Sequence, residues 1–236
     1  MKLTYHAISH RGLVRANNED AILVGNQILR DNSDSFSFDI PEGGIVFPAI
    51  VCDGVGGNAR GEEASMAACE GFRSFFEKLS PDTDQNELIM KLKGKMQRVN
   101  ESILTEAAGC GMASTLTGLL ICGENAYVLN AGDSRVYRLR YDNLKLMTRE
   151  HTMESGGRRV ITNCLGMPSV TLDITPTAIV PGDIFVVCSD GLFDMVSDPE
   201  ISDNAGSAET LLSLALNNGG YDNTSIITLR FDYLAI

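Results

Sequence analysis

Short runs of apolar and β-branched residues, each cut by Gly, Asp or Asn, recur along the chain. They predict strands at 46–53 (VFPAIVCD), 113–122 (ASTLTGLLIC), 124–133 (ENAYVLNAGD), 135–140 (RVYRLR), 183–190 (DIFVVCSD) and 223–231 (NTSIITLRF). CGEN at 122–125 predicts a tight hairpin turn, and YDN at 141–143 predicts another that leads into LKLMT. Elsewhere the apolar spacing changes to three and four, as on one face of a helix. Segment 59–79 puts Ala64, Ala67, Ala68, Gly71, Phe72 and Phe75 on such a face, and 86–108 repeats it through Leu88, Leu92, Met96, Val99 and Ile103. A shorter helix at 207–218 offers Leu211, Leu212, Leu214 and Leu216 to a core.

Strands, then two consecutive helices, then a meander do not alternate as a doubly wound parallel sheet requires. The order predicts an α+β domain of two packed antiparallel sheets flanked by helices. No repeat is present, and the two candidate linkers, 80–87 and 152–157, are too short to separate autonomous domains, so residues 1–236 read as one domain.

Composition narrows the function. A chain that is 44% hydrophobic and 21% charged is not mostly disordered. With 31 Asp and Glu against 19 Lys and Arg, the formal charge of −12 repels polyanions, which argues against nucleic acid as a partner. The N-terminal segment is interrupted by His10, Arg11, Arg15, Glu19 and Asp20, so it lacks the apolar stretch of a signal peptide. The longest charge-free run, 107–123, is rich in Gly, Ser and Thr and falls short of a bilayer span. A soluble cytoplasmic protein without membrane contact is expected. The six cysteines form no CxxC pair and no C-x5-R cradle, and they read as buried free thiols in a reducing compartment.

The carboxylates carry the chemistry. Glu19 and Asp20 follow the first segment, Asp53 and Asp190 each end an apolar run before Gly, Asp133 sits in a turn, Asp194 follows Asp190, and Asp222 precedes the last strand. A strand fixes the backbone while the following turn exposes the side chain, so such positions suit ligands. A single Asp-Gly is ordinarily only a turn. Several of them converging would repel one another unless cations intervene, and without imidazole or thiolate partners hard ions such as Mg²⁺ or Mn²⁺ are the natural choice. The segment GVGGNARG at 54–61 matches neither common phosphate-loop pattern. Close approach of its backbone to a metal, with the Gly54 carbonyl as a hard ligand, fits better. Arg15 supplies a donor fork for a phosphoryl group.

Six segments, GLVRANNEDA (12–21), AIVCDGVGG (49–57), GMASTL (111–116), NAGDSRVYRLR (130–140), VCSDGLFDMV (187–196) and YDNTSIITL (221–229), occur in an order that resembles the metal-dependent protein phosphatases, the type 2C serine/threonine phosphatase family, in its compact bacterial form. The resemblance implies a four-layer α-β-β-α sandwich with two Mn²⁺ or Mg²⁺ ions at one edge. It implies Asp53 as the bridging carboxylate, Glu19 and the Gly54 carbonyl as ligands of one ion, and Asp190 and Asp222 as ligands of the other. It further implies Asp20 as the acid that orients the attacking water, Arg15 as the phosphate clamp, and Asp133, Asp190 and Asp194 as the holders of a third ion. The expected reaction is hydrolysis of phosphoserine and phosphothreonine by a metal-activated water, on phosphoproteins that include substrates of a bacterial serine/threonine kinase, by a monomer.

The chain departs from the family in one place. The flap expected between the meander and the SDG strand is reduced to about 152–158, with Arg158 and Arg159 adding positive charge to the rim. His10 matches no acid of the family and reads as a structural or surface histidine. Two other readings are a regulatory protein on the same fold without turnover, which loss of several carboxylates would favour, and a metal-dependent nuclease, which the acidic surface opposes.

Overall fold

A computed structural model describes residues 1–55, 60–109 and 111–234. Ala59 and Cys110, as well as Gly56, Gly57 and Asn58 of the glycine-rich segment, lie outside the described residues. The strands are β1 (Lys2–His10), β2 (Ala21–Val24), β3 (Gln27–Leu29), β4 (Ser33–Asp39), β5 (Ile45–Cys52), β6 (Gly54–Val55), β7 (Ala113–Ser114), β8 (Leu116–Gly123), β9 (Asn125–Ala131), β10 (Arg135–Arg140), β11 (Asn143–Leu146), β12 (Thr152–Ser155), β13 (Arg158–Ile161), β14 (Asp173–Thr177), β15 (Ile184–Cys188) and β16 (Thr224–Asp232). The helices are α1 (Gly61–Phe76), α2 (Gln85–Ala107), α3 (Asp190–Phe193), α4 (Asp198–Asn204) and α5 (Ala208–Asn217).

Two six-stranded sheets form, in the orders β11-β10-β15-β16-β1-β4 and β14-β9-β8-β5-β2-β3, with every neighbouring pair antiparallel. Side chains of a strand alternate between faces, and here both faces are covered. Along β5, Phe47, Ala49 and Val51 point into the space between the sheets, where they meet Phe185, Ile227 and Leu229. Ile50 and Cys52 point outward and pack with Phe72, Leu88, Leu92 and Met96 of α1 and α2. On the other outer face, Val186, Cys188 and Ile226 pack with Leu192, Ile201 and Leu211 of α3, α4 and α5. The layers are therefore helices, sheet, sheet, helices, the predicted α-β-β-α sandwich.

The ends of these elements follow local chemistry. Asp84 accepts hydrogen bonds from the Asn86 and Glu87 amides and starts α2, while Ser197 and Glu200 form a capping box at α4. The hairpins at 122–125 and 141–143 form as expected; Tyr141 and Asp142 both adopt positive φ, which lets Arg140 pair with Asn143 across a two-residue turn. Two predicted strands change in detail. The one at 113–122 breaks at Thr115, giving β7 and β8, and the one at 183–190 stops at Cys188 because Ser189 turns the chain into α3. Of the predicted helical core positions, Ala67, Gly71 and Phe75 of α1 and Leu214 and Leu216 of α5 are only half-buried, leaving Ala64, Ala68 and Phe72 as the inner face of α1 and Leu211 and Leu212 as that of α5.

Candidate metal centre

The predicted residues come from separate parts of the chain and meet at one edge of the sandwich. A cleft of about 700 Å³ is lined by Arg15, Glu19, Asp53, Gly54, Asp133, Asp190, Asp194 and Asp222, together with residues of the β12–β13 hairpin. Asp20 does not line it; it lies buried underneath, 1% exposed. His10 is away from the chemistry: its Nδ1 accepts the Gly12 amide at 2.9 Å and shapes the turn leaving β1.

Asp53 and Glu19 are held through their backbones. The Asp53 amide donates to Thr115 Oγ1 at 2.9 Å and its carbonyl accepts the Thr115 amide at 2.8 Å, so the break between β7 and β8 fixes the end of β5. The Glu19 amide donates to Asn223 Oδ1 at 2.8 Å, and its carbonyl accepts Ser65 Oγ at 2.5 Å and the Gly54 amide at 3.2 Å. A Cβ on Gly54 would come within 2.4 Å of the Gly61 carbonyl oxygen and 2.6 Å of the Glu19 carbonyl oxygen; only glycine lets the three backbones meet here. Asp190 opens α3 after the Ser189 cap.

Asn223 is the hub that the sequence did not single out. Its amide donates to Asp222 Oδ1 at 2.8 Å, and its side-chain Nδ2 donates to the Arg11 and Asn17 carbonyls at 2.8 and 2.9 Å. It thus ties β16 to the loop carrying Arg15 and Glu19. Asn18 acts likewise below, donating to Ser9 Oγ at 3.0 Å and Asp31 Oδ1 at 2.9 Å. His151 Nδ1 accepts the Gly132 amide at 3.2 Å, beside Asp133, while its Nε2 lies 3.1 Å from Asp173 Oδ2. Asn223 lies in the YDNTSIITL segment (221–229) and Asn18 in GLVRANNEDA (12–21), but no charge or spacing marks either amide as a positioning group, and His151 stands outside the six segments.

The gathered acids raise one another's affinity for protons. Burial pushes the Asp53 carboxyl well above its ordinary value, and Asp20, Asp190, Asp133 and Asp222 push it further. Burial, then Asp222, Asp133, Asp20 and Asp194, raise Asp190 to about 7. Burial raises Asp20 to about 6 against the hydrogen bond from Ser189 Oγ, 2.7 Å from its Oδ2; its Oδ1 is buried with no protein partner. Burial raises Glu19 and Asp133 as well. Arg15 Nη2 donates to Asp222 Oδ2 at 2.5 Å, and this bond is the main reason its own pKa rises.

Among the described residues, no three acidic, His or Cys side chains already form a closed metal cage. Arginines take up part of the acids' charge: Arg15 pairs with Asp222, and Arg159 with Asp133, Asp190 and Asp194. The donor set nevertheless suits hard divalent ions: all-oxygen ligands, an orphaned buried carboxylate oxygen, and acids that resist ionising together. The five described free cysteines, Cys52, Cys69, Cys122, Cys164 and Cys188, are buried and offer the cleft no thiolate. No described helix is long and apolar enough to cross a membrane.

The fold is a two-sheet sandwich with an acidic, arginine-flanked cleft at its edge. Residues 29–219 match the family model described as protein phosphatase 2C. The chain is 31% identical over 260 residues to the serine/threonine protein phosphatase PstP of Mycobacterium tuberculosis, covering 98% of this chain and 46% of that relative. It is 25% identical over 248 residues to the serine/threonine phosphatase stp of Listeria welshimeri, covering 93% and 92%. The crystal structure of the catalytic domain of PstP in complex with two manganese ions is similar at a TM-score of 0.77 and 29% identity, covering 99% of this chain and all of that one. The chain belongs to the protein phosphatase 2C family. It spans about half the length of the Mycobacterium relative.

Proposed function

We propose that this chain is a catalytic domain that hydrolyses phosphoserine and phosphothreonine in proteins with two Mn²⁺ or Mg²⁺ ions, as a cytoplasmic monomer, and that 1–236 acts as one such domain with a flap shortened to about 152–158. The observation that carries this reading is the convergence of Glu19, Asp53, Asp190 and Asp222 with the Gly54 carbonyl and Arg15 in one cleft. The named phosphatases among its relatives support the substrate class, and the manganese-bound relative supports the ions. Substrates of a bacterial serine/threonine kinase are the partners we assign.

Asp53, central among the acids, would bridge both ions; Glu19 and the Gly54 carbonyl would hold one, and Asp190 and Asp222 the other. When bound, the ions supply an acidified water as nucleophile and neutralise phosphoryl oxygens. Arg15 reaches the same edge through Asp222, so its remaining donors can orient a phosphoryl group in the cleft. Asp20, raised to about 6 and with Oδ1 free, can accept and hold a proton near neutral pH. A third ion, were one bound, would be held by the outer acids Asp133, Asp190 and Asp194, against which Arg159 stands.

Phosphate release from a phosphothreonine peptide and from p-nitrophenyl phosphate tests the reading. Turnover should vanish on chelation, return with Mn²⁺ or Mg²⁺, and be lost in Asp53→Asn. No turnover with either metal, or full turnover in Asp53→Asn, refutes it.

A further inference from the structure

The β12–β13 hairpin brings a positive charge onto the outer carboxylates. Arg159 Nε lies 3.7 Å from Asp133 Oδ2, and its Nη2 lies 3.6 Å from Asp190 Oδ2 and 3.5 Å from Asp194 Oδ2. Its guanidinium carbon stands 5.4 Å from the centre of the Phe193 ring, whose residue sits in α3 between the two aspartates. Successive strand side chains alternate in direction, so one of two adjacent arginines is aimed at the acids. Arg158 makes no ion pair among the described residues, while Arg159 touches three carboxylates.

We propose that Arg159 is a tethered cation that occupies the space between Asp133, Asp190 and Asp194, competes with a third divalent ion for it, and so holds the chain to two ions. This inference rests on the two-ion reading of the cleft. Three carboxylates from two elements, the β9–β10 turn and α3, need a cation in common. A hard divalent ion would satisfy them by direct oxygen ligation. Arg159 satisfies them differently: its Nη1 and Nη2 make parallel contacts of 3.5 Å to the two oxygens of Asp194, and longer ion pairs of 3.6 and 3.7 Å reach Asp190 and Asp133, so the guanidinium fills the space an ion would need. Its advantage is attachment. A four-residue strand on a short hairpin keeps the guanidinium beside the acids at high effective concentration, and the Phe193 face adds a cation–π contact. A divalent ion and a guanidinium in the same small space repel strongly, so one excludes the other.

Counting bound Mn²⁺ by equilibrium dialysis, with free Mn²⁺ followed by its electron paramagnetic resonance signal, tests this without an activity readout. The intact chain should take up two ions. Arg159→Ala and Arg159→Gln should take up three, the added ion binding about tenfold or more tightly than any third ion in the intact chain, since the competing charge beside it is gone. Arg158→Ala, which changes the net charge equally, should stay at two. Adding Asp194→Asn to Arg159→Ala should abolish the gain and place the extra ion at the outer acids. The inference is overturned if the Arg159 variants stay at two, if the intact chain already binds three, or if Arg158→Ala gains an ion as readily. If no chain binds Mn²⁺ at all, the metal reading of the cleft falls and takes the inference with it.

Discussion

Replacing Asp190 by asparagine should make the metal-free chain more stable and the Mn²⁺-loaded chain less stable than the parent. Burial and four neighbouring aspartates raise the Asp190 carboxyl from 3.8 to about 7. At 1.36 kcal/mol per pKa unit, a rise of about three corresponds to roughly 4 kcal/mol against the ionised form in the fold. About a quarter of the side chain, 27%, meets water, which screens part of this and leaves about 2 kcal/mol. An acid whose folded pKa lies above its unfolded value binds more protons when folded. Its contribution is therefore most favourable below about pH 4 and is lost as pH rises through about 7. In chelator at pH 7.5, Asp190→Asn should melt roughly 4–8 °C above the parent, and the difference should shrink as the buffer is taken to pH 5.5. Saturating Mn²⁺ should reverse the order, because an ion at a hundred times its Kd adds about 2.7 kcal/mol to a chain that retains the ligand. Differential scanning calorimetry at both pH values, with and without Mn²⁺, reads all four states. A metal-free Asp190→Asn chain that melts at or below the parent at pH 7.5 would refute the claim that these acids repel one another in the fold.

Two further substitutions separate substrate contact from metal binding and from backbone placement. Arg15→Ala should lower kcat/KM for a phosphothreonine peptide by about 10- to 100-fold, the scale of one charge-assisted contact, while Mn²⁺ affinity stays equal or tightens because Asp222 loses its competing partner; unchanged kinetics would remove Arg15 from phosphate binding. Gly12→Ala should weaken Mn²⁺ binding in a chain that still folds, since Gly12 has φ +78° and a Cβ there would lie 2.3 Å from the Asp222 carbonyl oxygen, forcing the Arg15 loop and Asp222 apart; an unaltered Mn²⁺ titration would show that this close approach does not set the site.

The sandwich is legible where a strand is buried on both faces. β5, β8, β9 and β15 are largely apolar runs, β16 interleaves Ile226, Ile227, Leu229 and Phe231 with Thr and Ser, and the fold class follows from their order with the two long helices. β1 is different. Leu3, Tyr5, Ala7 and Ser9 form its inner face, but Thr4, His6 and Ser9 dilute the pattern, and its central place between β16 and β4 comes from pairing rather than composition. β4 is an edge strand of Ser, Asp and Phe, and β2 has only four residues, so neither carries enough periodicity to be read alone. β15 ends early because Ser189 takes the first position of the turn into α3 and sends its hydroxyl to Asp20.

Charged groups of the site were legible for the same reason that they are costly: an acid after an apolar run and before glycine stands out. What holds them was not, because Asn18, Thr115, Ser189 and Asn223 act through neutral hydrogen bonds that leave no charge pattern. That division has a physical cause. An ionised partner beside each acid would satisfy it permanently and leave little for a metal, whereas an amide or hydroxyl bound to the backbone fixes position without cancelling charge. Asn223 binds the Glu19 amide and two loop carbonyls, and only its own amide touches Asp222. The cationic contacts, Arg15 on Asp222 and Arg159 on Asp133, Asp190 and Asp194, lie at the cleft's rim, while Asp53, buried among Asp20, Asp190, Asp133 and Asp222, makes no ion pair among the described residues and stays repelled. Uncompensated charge is thus concentrated at the position that would bridge two ions, and a sequence that neutralised it would fold more stably while losing the reason for the site.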